Sequence, residues 1–445
     1  MKAHPESKIH TATAAVETTL ISLISLGIRV SQWIGYFPLS IVESKNNSKL
    51  AFHPLSFPLS CSFIFITWQT ILLIEWYPAL IDKLDTSALL PSTEVVSFII
   101  HGSLIAFQAI AKRVIFICKR NIVLEKWSIF VTDLTRISSS DEDGSFLISI
   151  DPTAKHCNIF KRVKVSVRNT VFGSVALIFV LVSEIFVTFV LLSTGKKGVA
   201  KRTGISLVGA FSLVSWNLFG AFNVFQSLWV TFPIQVTNAC LEMIGEEMRL
   251  VYGGGEGGEE DEMAGEPFPD VQVKKVVRLI SVDEKKLQLC IINYHRTIKI
   301  LKSYNASSAN RISFEIVYNS VLILSFLFLG VTWISTGEII AALSRLIPIL
   351  LCVKIIYHLG TEAGKVEINQ GKILRKFCRI PKHLLSVEMK GRVSSMIHEL
   401  SGDTLRIEPD SFFTLNRRLL TSIFSTILTF LVVLIQFREG ENRSK

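Results

Sequence analysis

The polar residues that stand out in this 445-residue chain lie inside long apolar stretches, which points to recognition and ion solvation rather than bond-making. Glu184 sits in the run 170–193 and Arg345 in the run 339–358. Charges in such runs are costly and face a partner or a wet cavity. In the run 413–437, Thr429, Val433 and Gln436 are spaced i, i+4, i+7, which puts them on one face of a helix. Gln436, followed by Phe437, is a polar group near the end of an apolar stretch, the position of an interfacial cap or of a pore-lining amide. Trp216, Asn217, Thr332 and Trp333 combine aromatic faces with hydrogen-bonding groups. Such a set suits sugars or flat alkaloids, and Trp equally anchors helices at a membrane interface.

Catalysis has no comparable support. No P-loop, GxSxG, HExxH or GxGxxG stands in a plausible context. No CxxC or Cys/His spacing suggests a metal site. The chain is therefore read as a non-enzyme, with no cofactor and no metal.

Composition says which elements must position these groups. Hydrophobic residues make up 49% of the chain and charged residues 19%, with 30 Phe and a mean hydropathy of +0.44. Soluble domains carry about 25% charged residues. The apolar residues cluster in seven runs, at 56–77, 95–115, 170–193, 204–232, 313–336, 339–358 and 413–437. Each is near or above the ~20 residues that cross a bilayer. With no water in the bilayer core, each must satisfy its backbone internally and so be a helix. The expectation is an all-α membrane protein with seven transmembrane helices, the fourth continuing into the cytoplasm. A shorter run, 20–28, is cut by Arg29, Gly35 and Pro38 and lacks a following cleavage site. It is read as a re-entrant or interfacial helix within a cytoplasmic segment, 1–55.

Orientation follows from where Lys and Arg fall. Segments 1–55, 112–168, 233–312 and 359–418 carry 37 of them, and segments 78–94, 194–203, 337–338 and 438–445 carry 8. The basic-rich side is cytoplasmic, so the N-terminus is inside and the C-terminus outside. The cluster Lys196, Lys197, Lys201 and Arg202 runs against this pattern. No cysteine falls in an outer loop, so no structural disulfide is expected. The net charge of +10 suits cytoplasmic loops beside anionic lipid and needs no nucleic acid to explain it. On this topology Glu184 and Arg345 both lie on the order of 10 Å below the outer surface. They are candidates to line a shared extracellular vestibule, or are each satisfied separately.

The long loops lie on the cytoplasmic side. Residues 253–270 read GGGEGGEEDEMAGEPFPD, too acidic and Gly-rich to bury a core, and serve as a connector; 138–151 form a shorter one. In 384–400, Leu385, Met389, Val393, Met396, Ile397 and Leu400 recur at helical spacing. This amphipathic helix packs on its own subunit or at an oligomer contact.

The last run ends Thr429-Phe430-Leu431-Val432-Val433-Leu434-Ile435-Gln436-Phe437. This resembles the C-terminal signature of insect gustatory receptors, a Thr-Tyr pair, five mostly hydrophobic residues, then Gln-Phe, with Phe430 in place of Tyr. The upstream Phe413-Thr414-Leu415-Asn416-Arg417-Arg418-Leu419-Leu420 is similar to the family's approach to this helix, and Ile34-Gly35-Tyr36-Phe37-Pro38-Leu39 to a weak N-terminal box.

The resemblance implies a tastant-gated, non-selective cation channel in the plasma membrane of chemosensory neurons, built as a homo- or hetero-tetramer. In that family four copies of the last helix, here 413–437, surround one pore. A six-helix region, here 56–358, binds the ligand, and 359–412 contributes to a cytoplasmic anchor, leaving 438–445 as an outer tail. Thr429, Val433, Gln436 and Phe437 then belong to the pore and gate. A ring of Val433 closes by dewetting and Gln436 amides hydrate a passing cation. Leu431 stands where sugar receptors of the family carry Glu, which argues mildly against that subgroup. Two other readings are a G-protein-coupled receptor, disfavoured by the orientation, and a co-receptor subunit that binds no ligand itself. A transporter is disfavoured by the lack of internal repeats.

Overall fold

The computed structural model describes, with short interruptions, residues 16–86, 103–138, 163–169, 230–251, 283–409 and 413–444. Among them, α1 runs Phe57–Thr86 and α2 Arg120–Ser138, and a helix over 230–248 is α3. Then come α4 (Glu284–Ser335), α5 (Ile339–Ser344), α6 (Leu346–Cys378), α7 (Val387–Gly402) and α8 (Arg417–Ser444).

The lengths of these helices divide the molecule into two tiers. α4 has 52 residues, about 78 Å at 1.5 Å per residue, against a hydrocarbon core of ~30 Å. Only its second part, Asn310–Ser335, has the composition of a membrane span. The first part carries Lys285, Lys286, Arg296, Lys299 and Lys302. α6 divides in the opposite sense, with its apolar residues first and Glu362, Lys365, Glu367 and Lys372 later. Among the described residues three helices are long and apolar enough to cross a membrane: Asn310–Ser335, Leu346–Cys378 and Arg417–Gly440. The run 56–77 lies within α1, while 95–115, 170–193 and 204–232 fall almost wholly outside the described residues.

In the apolar tier, Leu322, Ile323 and Phe326 of α4 pack with Cys352 and Ile356 of α6 and with Leu420 and Ile427 of α8. Gly360 allows α6 and α8 to approach, since a Cβ there would lie 3.3 Å from the Leu420 side chain. In the polar tier, α3 is buried along nearly its whole length, in contact with α4 and α6. The Lys376 amino group donates to the Gly245 carbonyl near the C-terminal end of α3, where a cation suits the helix dipole.

The amphipathic helix expected over 384–400 is α7, preceded by a 3₁₀ turn at Lys382–Leu384. Its apolar face, Leu385, Met389, Val393, Met396 and Leu400, is buried within its own chain, with Ile397 packed at the edge. Ser386 caps the helix by accepting from the Met389 N–H at 3.3 Å. The Glu284 carboxylate at the start of α4 accepts from the Ser386 N–H and hydroxyl at 2.5 and 2.9 Å.

The segment between α7 and α8 is held by side chains reaching its backbone. Gln370 of α6 donates to the Asp403 carbonyl at 2.6 Å and accepts from the Leu405 N–H at 2.6 Å. Asn305 of α4 donates to the Arg406 carbonyl at 2.9 Å, and the Leu415 N–H donates to the Ile407 carbonyl at 2.8 Å. Asn416 then caps α8, accepting from the Leu419 N–H at 3.0 Å.

The structure adds three details to the sequence reading. α6 runs unbroken through residue 358, so the boundary between 56–358 and 359–412 falls inside a helix. Residues 438–444, expected as an outer tail, continue α8 to Ser444. Within 1–55, strands β1 (Ser40–Ser44) and β2 (Asn47–Ala51) pair antiparallel, a small exception to an all-α fold. In the same segment Leu20, Ile21 and Ile28 are buried in the core of the protein, and Trp127 of α2 donates to Glu17 at 3.1 Å.

Replacing Gln370 tests this frame. Gln370→Ala leaves the buried Leu405 N–H without its acceptor, a loss of about 1–3 kcal/mol. The expected outcome is a lower thermal midpoint in detergent; an unchanged midpoint would show that the strap contributes nothing.

Candidate functional site

The candidate site is built on α8, whose sides differ in kind. Leu420, Ile427 and Leu431 are buried on one side. At 3.6 residues per turn, Ser422, Ser425, Thr429 and Gln436 form a stripe on the opposite side, and all four are exposed. Leu428, Val432, Phe430 and Phe437 are exposed apolar positions flanking that stripe. Val433 lies at its edge, 38% exposed. Only 11% of the apolar window of α8 is buried, against 56% for α4 and 44% for α6, so most of α8 is left to meet something outside its own chain.

One hydroxyl of the stripe and one beside it are primed as acceptors. Thr429 donates its proton to the Ser425 carbonyl at 3.0 Å, and neighbouring Thr426 donates to the Ser422 carbonyl at 2.9 Å. With the proton committed to the helix backbone, the oxygen lone pairs face outward, which suits a cation or its water shell. Thr429, Val433 and Gln436 therefore stand together on the exposed side of one helix, as their spacing implies, and Phe437 stands beside them.

Thr332 and Trp333 occupy the last turn of α4. Thr332 is buried, and its hydroxyl has no hydrogen-bond partner among the described residues. Trp333 is half-buried. Glu184, Trp216, Asn217 and Arg345 lie outside the described residues.

Other buried polar groups escaped the sequence analysis. Glu315, near the start of the fifth apolar run, is a buried carboxylate on α4, with the Asn319 amide donating to its carbonyl at 2.6 Å. A scan of the runs for carboxylates would have found it. In the polar tier, Glu362 of α6 is buried and accepts from Lys365 at 2.7 Å. Asn238 of α3 donates to the Glu362 carbonyl at 2.8 Å and to its carboxylate at 3.3 Å. Gln235 of α3 lies 3.1 Å from the His358 ring. Nothing in their spacing marked these residues, because a polar side chain in a polar segment carries no periodic signal.

Among the described residues, the buried thiols of the polar tier are poor nucleophiles. Burial pushes the Cys240 thiol up to about 12 and the Cys290 thiol up to about 12, the latter aided by the negative charge of Glu247. Cys118 and Cys378 are exposed free thiols. Among the described residues no group of three or more His, Cys, Asp or Glu could hold a metal ion.

Comparison with known proteins completes the description. The family model for 7tm chemosensory receptors matches residues 156–441. The insect olfactory receptor OR5 from Machilis hrabei aligns with a TM-score of 0.58 at 13% identity, covering 94% of this chain and 97% of that one. The same receptor in complex with eugenol aligns at 0.54 and 12% identity, with the same coverage. At these identities the likeness is one of fold, and it extends over nearly the full length of both chains. No curated protein matches the chain.

A thiolate is the species that reacts with a maleimide. Near neutral pH, in permeabilised membranes, Cys118 and Cys378 should label while Cys240 and Cys290 stay protected. Mass spectrometry of the labelled chain checks this, and early modification of Cys240 would contradict the burial described for α3.

Proposed function

The chain belongs to the 7tm chemosensory receptor family, and from that premise we propose that it is a tastant-gated, non-selective cation channel. The observation that carries this reading is the exposed stripe of Ser422, Ser425, Thr429 and Gln436, directly opposite the side of α8 that packs on its own chain. Facing lipid, the Gln436 amide would have little to hydrogen-bond with, and the outward lone pairs of the hydroxyls would meet no donor or cation. Facing equivalent stripes of other subunits around an axis, they line a wet path. Four copies of α8 then enclose one pore, Val433 narrows it, and Gln436 with Phe437 forms its outer gate. Phe430, Leu428 and Val432 meet neighbouring helices or lipid. The taste assignment rests on the Thr429-to-Phe437 motif, which resembles that of insect gustatory receptors.

This reading keeps the orientation with the N-terminus inside and the C-terminus outside, which the Lys and Arg distribution supports. Arg417 and Arg418 are exposed in the first turn of α8, where the helix dipole disfavours cations. Anionic lipid at a cytoplasmic surface offsets that penalty. Such a channel sits in the plasma membrane of chemosensory neurons, as a homo- or hetero-tetramer. The tastant enters from the outside, where Thr332 and Trp333 of α4 stand with Glu184, Arg345, Trp216 and Asn217 as its candidate contacts. The buried Thr332 hydroxyl supports this, since a ligand acceptor or donor there would satisfy it.

Whole-cell recording tests the pore. Val433→Ala should raise the unliganded current several-fold by widening a dewetted constriction, and Gln436→Leu should lower conductance. Wild-type currents in both variants, at normal surface density, would remove these residues from the pore. For the ligand contacts, Glu184→Gln, Arg345→Gln and Thr332→Val should each move the half-activating concentration in a tastant panel. Superimposable dose–response curves in all three would place the binding site elsewhere.

A further inference from the structure

At its outer end α8 is tied to α4 by a contact that bridges 103 residues of sequence. The Arg438 guanidinium donates to the Ser335 hydroxyl at 2.9 Å. That hydroxyl in turn donates to the Thr332 carbonyl at 2.6 Å. Thr332 O is one of the carbonyls that a helix end leaves without an intrahelical partner. The last turn of α4 has no basic residue of its own, so Arg438 supplies from another helix the cation that a C-terminal dipole favours. Immediately beyond, Gly337 takes a φ of +82°, and its N–H bonds the Ile334 carbonyl at 3.1 Å, which terminates α4 in a fixed geometry.

The placement of Arg438 on α8 gives this contact a function. Arg438 follows Gln436 by two residues, a rotation of about 200°, so the two side chains leave α8 in nearly opposite directions. Arg438 lies on the same side as Ile427 and Leu431, three turns and two turns beyond them, where α8 packs on its own chain. A bond at this point therefore fixes the rotation of the gate-bearing end. We propose that Arg438 is a positioning residue for the gate: clasped to Ser335 on the Thr332 turn of α4, it transmits movement of that turn to Gln436. This proposal rests on the pore reading above. It adds the coupling between the α4 turn that carries two candidate ligand contacts and the helix that carries the gate. Gln436 and Arg438 thus divide the work, one facing the ion path and the other facing the element that senses.

The ligand is unidentified, so the unliganded current of the Val433→Ala channel serves as the probe. Arg438→Gln and Ser335→Ala, each added to Val433→Ala, should change that current about tenfold in the same direction, within the range of couplings between linked sites. The triple variant should fall short of the sum of the two effects, because both substitutions break one clasp. Arg438→Lys should retain most of the parental behaviour. Surface biotinylation normalises the currents, and Ser335→Ala carries the comparison if Arg438→Gln fails to reach the surface. A silent Val433→Ala parent overturns the pore reading, and the gating role with it. An active parent that is indifferent to both substitutions, or in which their effects add, overturns the clasp alone.

Discussion

A backbone crossing lipid finds no water, so every peptide group in the bilayer must be paired within its own helix. The rest of this architecture depends on that constraint. Once a helix such as α4 or α6 is committed to the bilayer, continuing it is the cheapest way out of the bilayer, since each added residue contributes one more internal bond. The two helices therefore run on into a second environment, where Lys, Arg and Glu cover their surface. There they supply the walls against which α3 and α7 fold. The apolar tier and the polar tier are two stretches of the same rods, which makes a displacement in one tier hard to confine there.

The junction between the tiers is stitched by side chains that bond backbone. Gln370 and Asn305 hold the strap 403–406 and Asn416 starts α8, while Glu284, at the far end of the polar tier, holds the start of α7. Each partner is a main-chain group that a helix end or an irregular segment would otherwise leave unpaired. α8 thus emerges from a polar tier in which its direction is already set. Its own chain then holds it mainly along one side, and its C-terminal end through Arg438.

Much of this was legible in the sequence, and the parts that were not share a cause. The spans of α4, α6 and α8 show as apolar runs because lipid tolerates little else. The buried face of α7 shows because Met389, Val393, Met396 and Leu400 repeat at helical spacing. Thr429 and Gln436 stood out as polar groups in an apolar helix. Glu362 and Gln370 did not, because their neighbours are equally polar and only the packing of α3 and of the 403–405 strap makes them special. The continuation of α6 past residue 358 was hidden by the loss of hydropathy, which ends a membrane span without ending a helix. Arg438 was taken for part of a tail; its partner lies across the fold, and no local pattern reports such a pair.

Gly360 sets the mechanics of α8. At the level of Leu420, near the base of the helix, α6 and α8 approach as closely as side-chain volume permits. From Leu420 to Gln436 is 16 residues, read directly along the chain, or about 24 Å of helix. With its base pinned there, α8 behaves as a lever whose long arm is held along one side and, near its tip, by Arg438. A tilt of about 5° at the base carries the far end sideways by about 2 Å over such a length. A displacement of that size is comparable to the radius of a water molecule, so a slight lean of one rod is enough to admit or exclude a hydration shell.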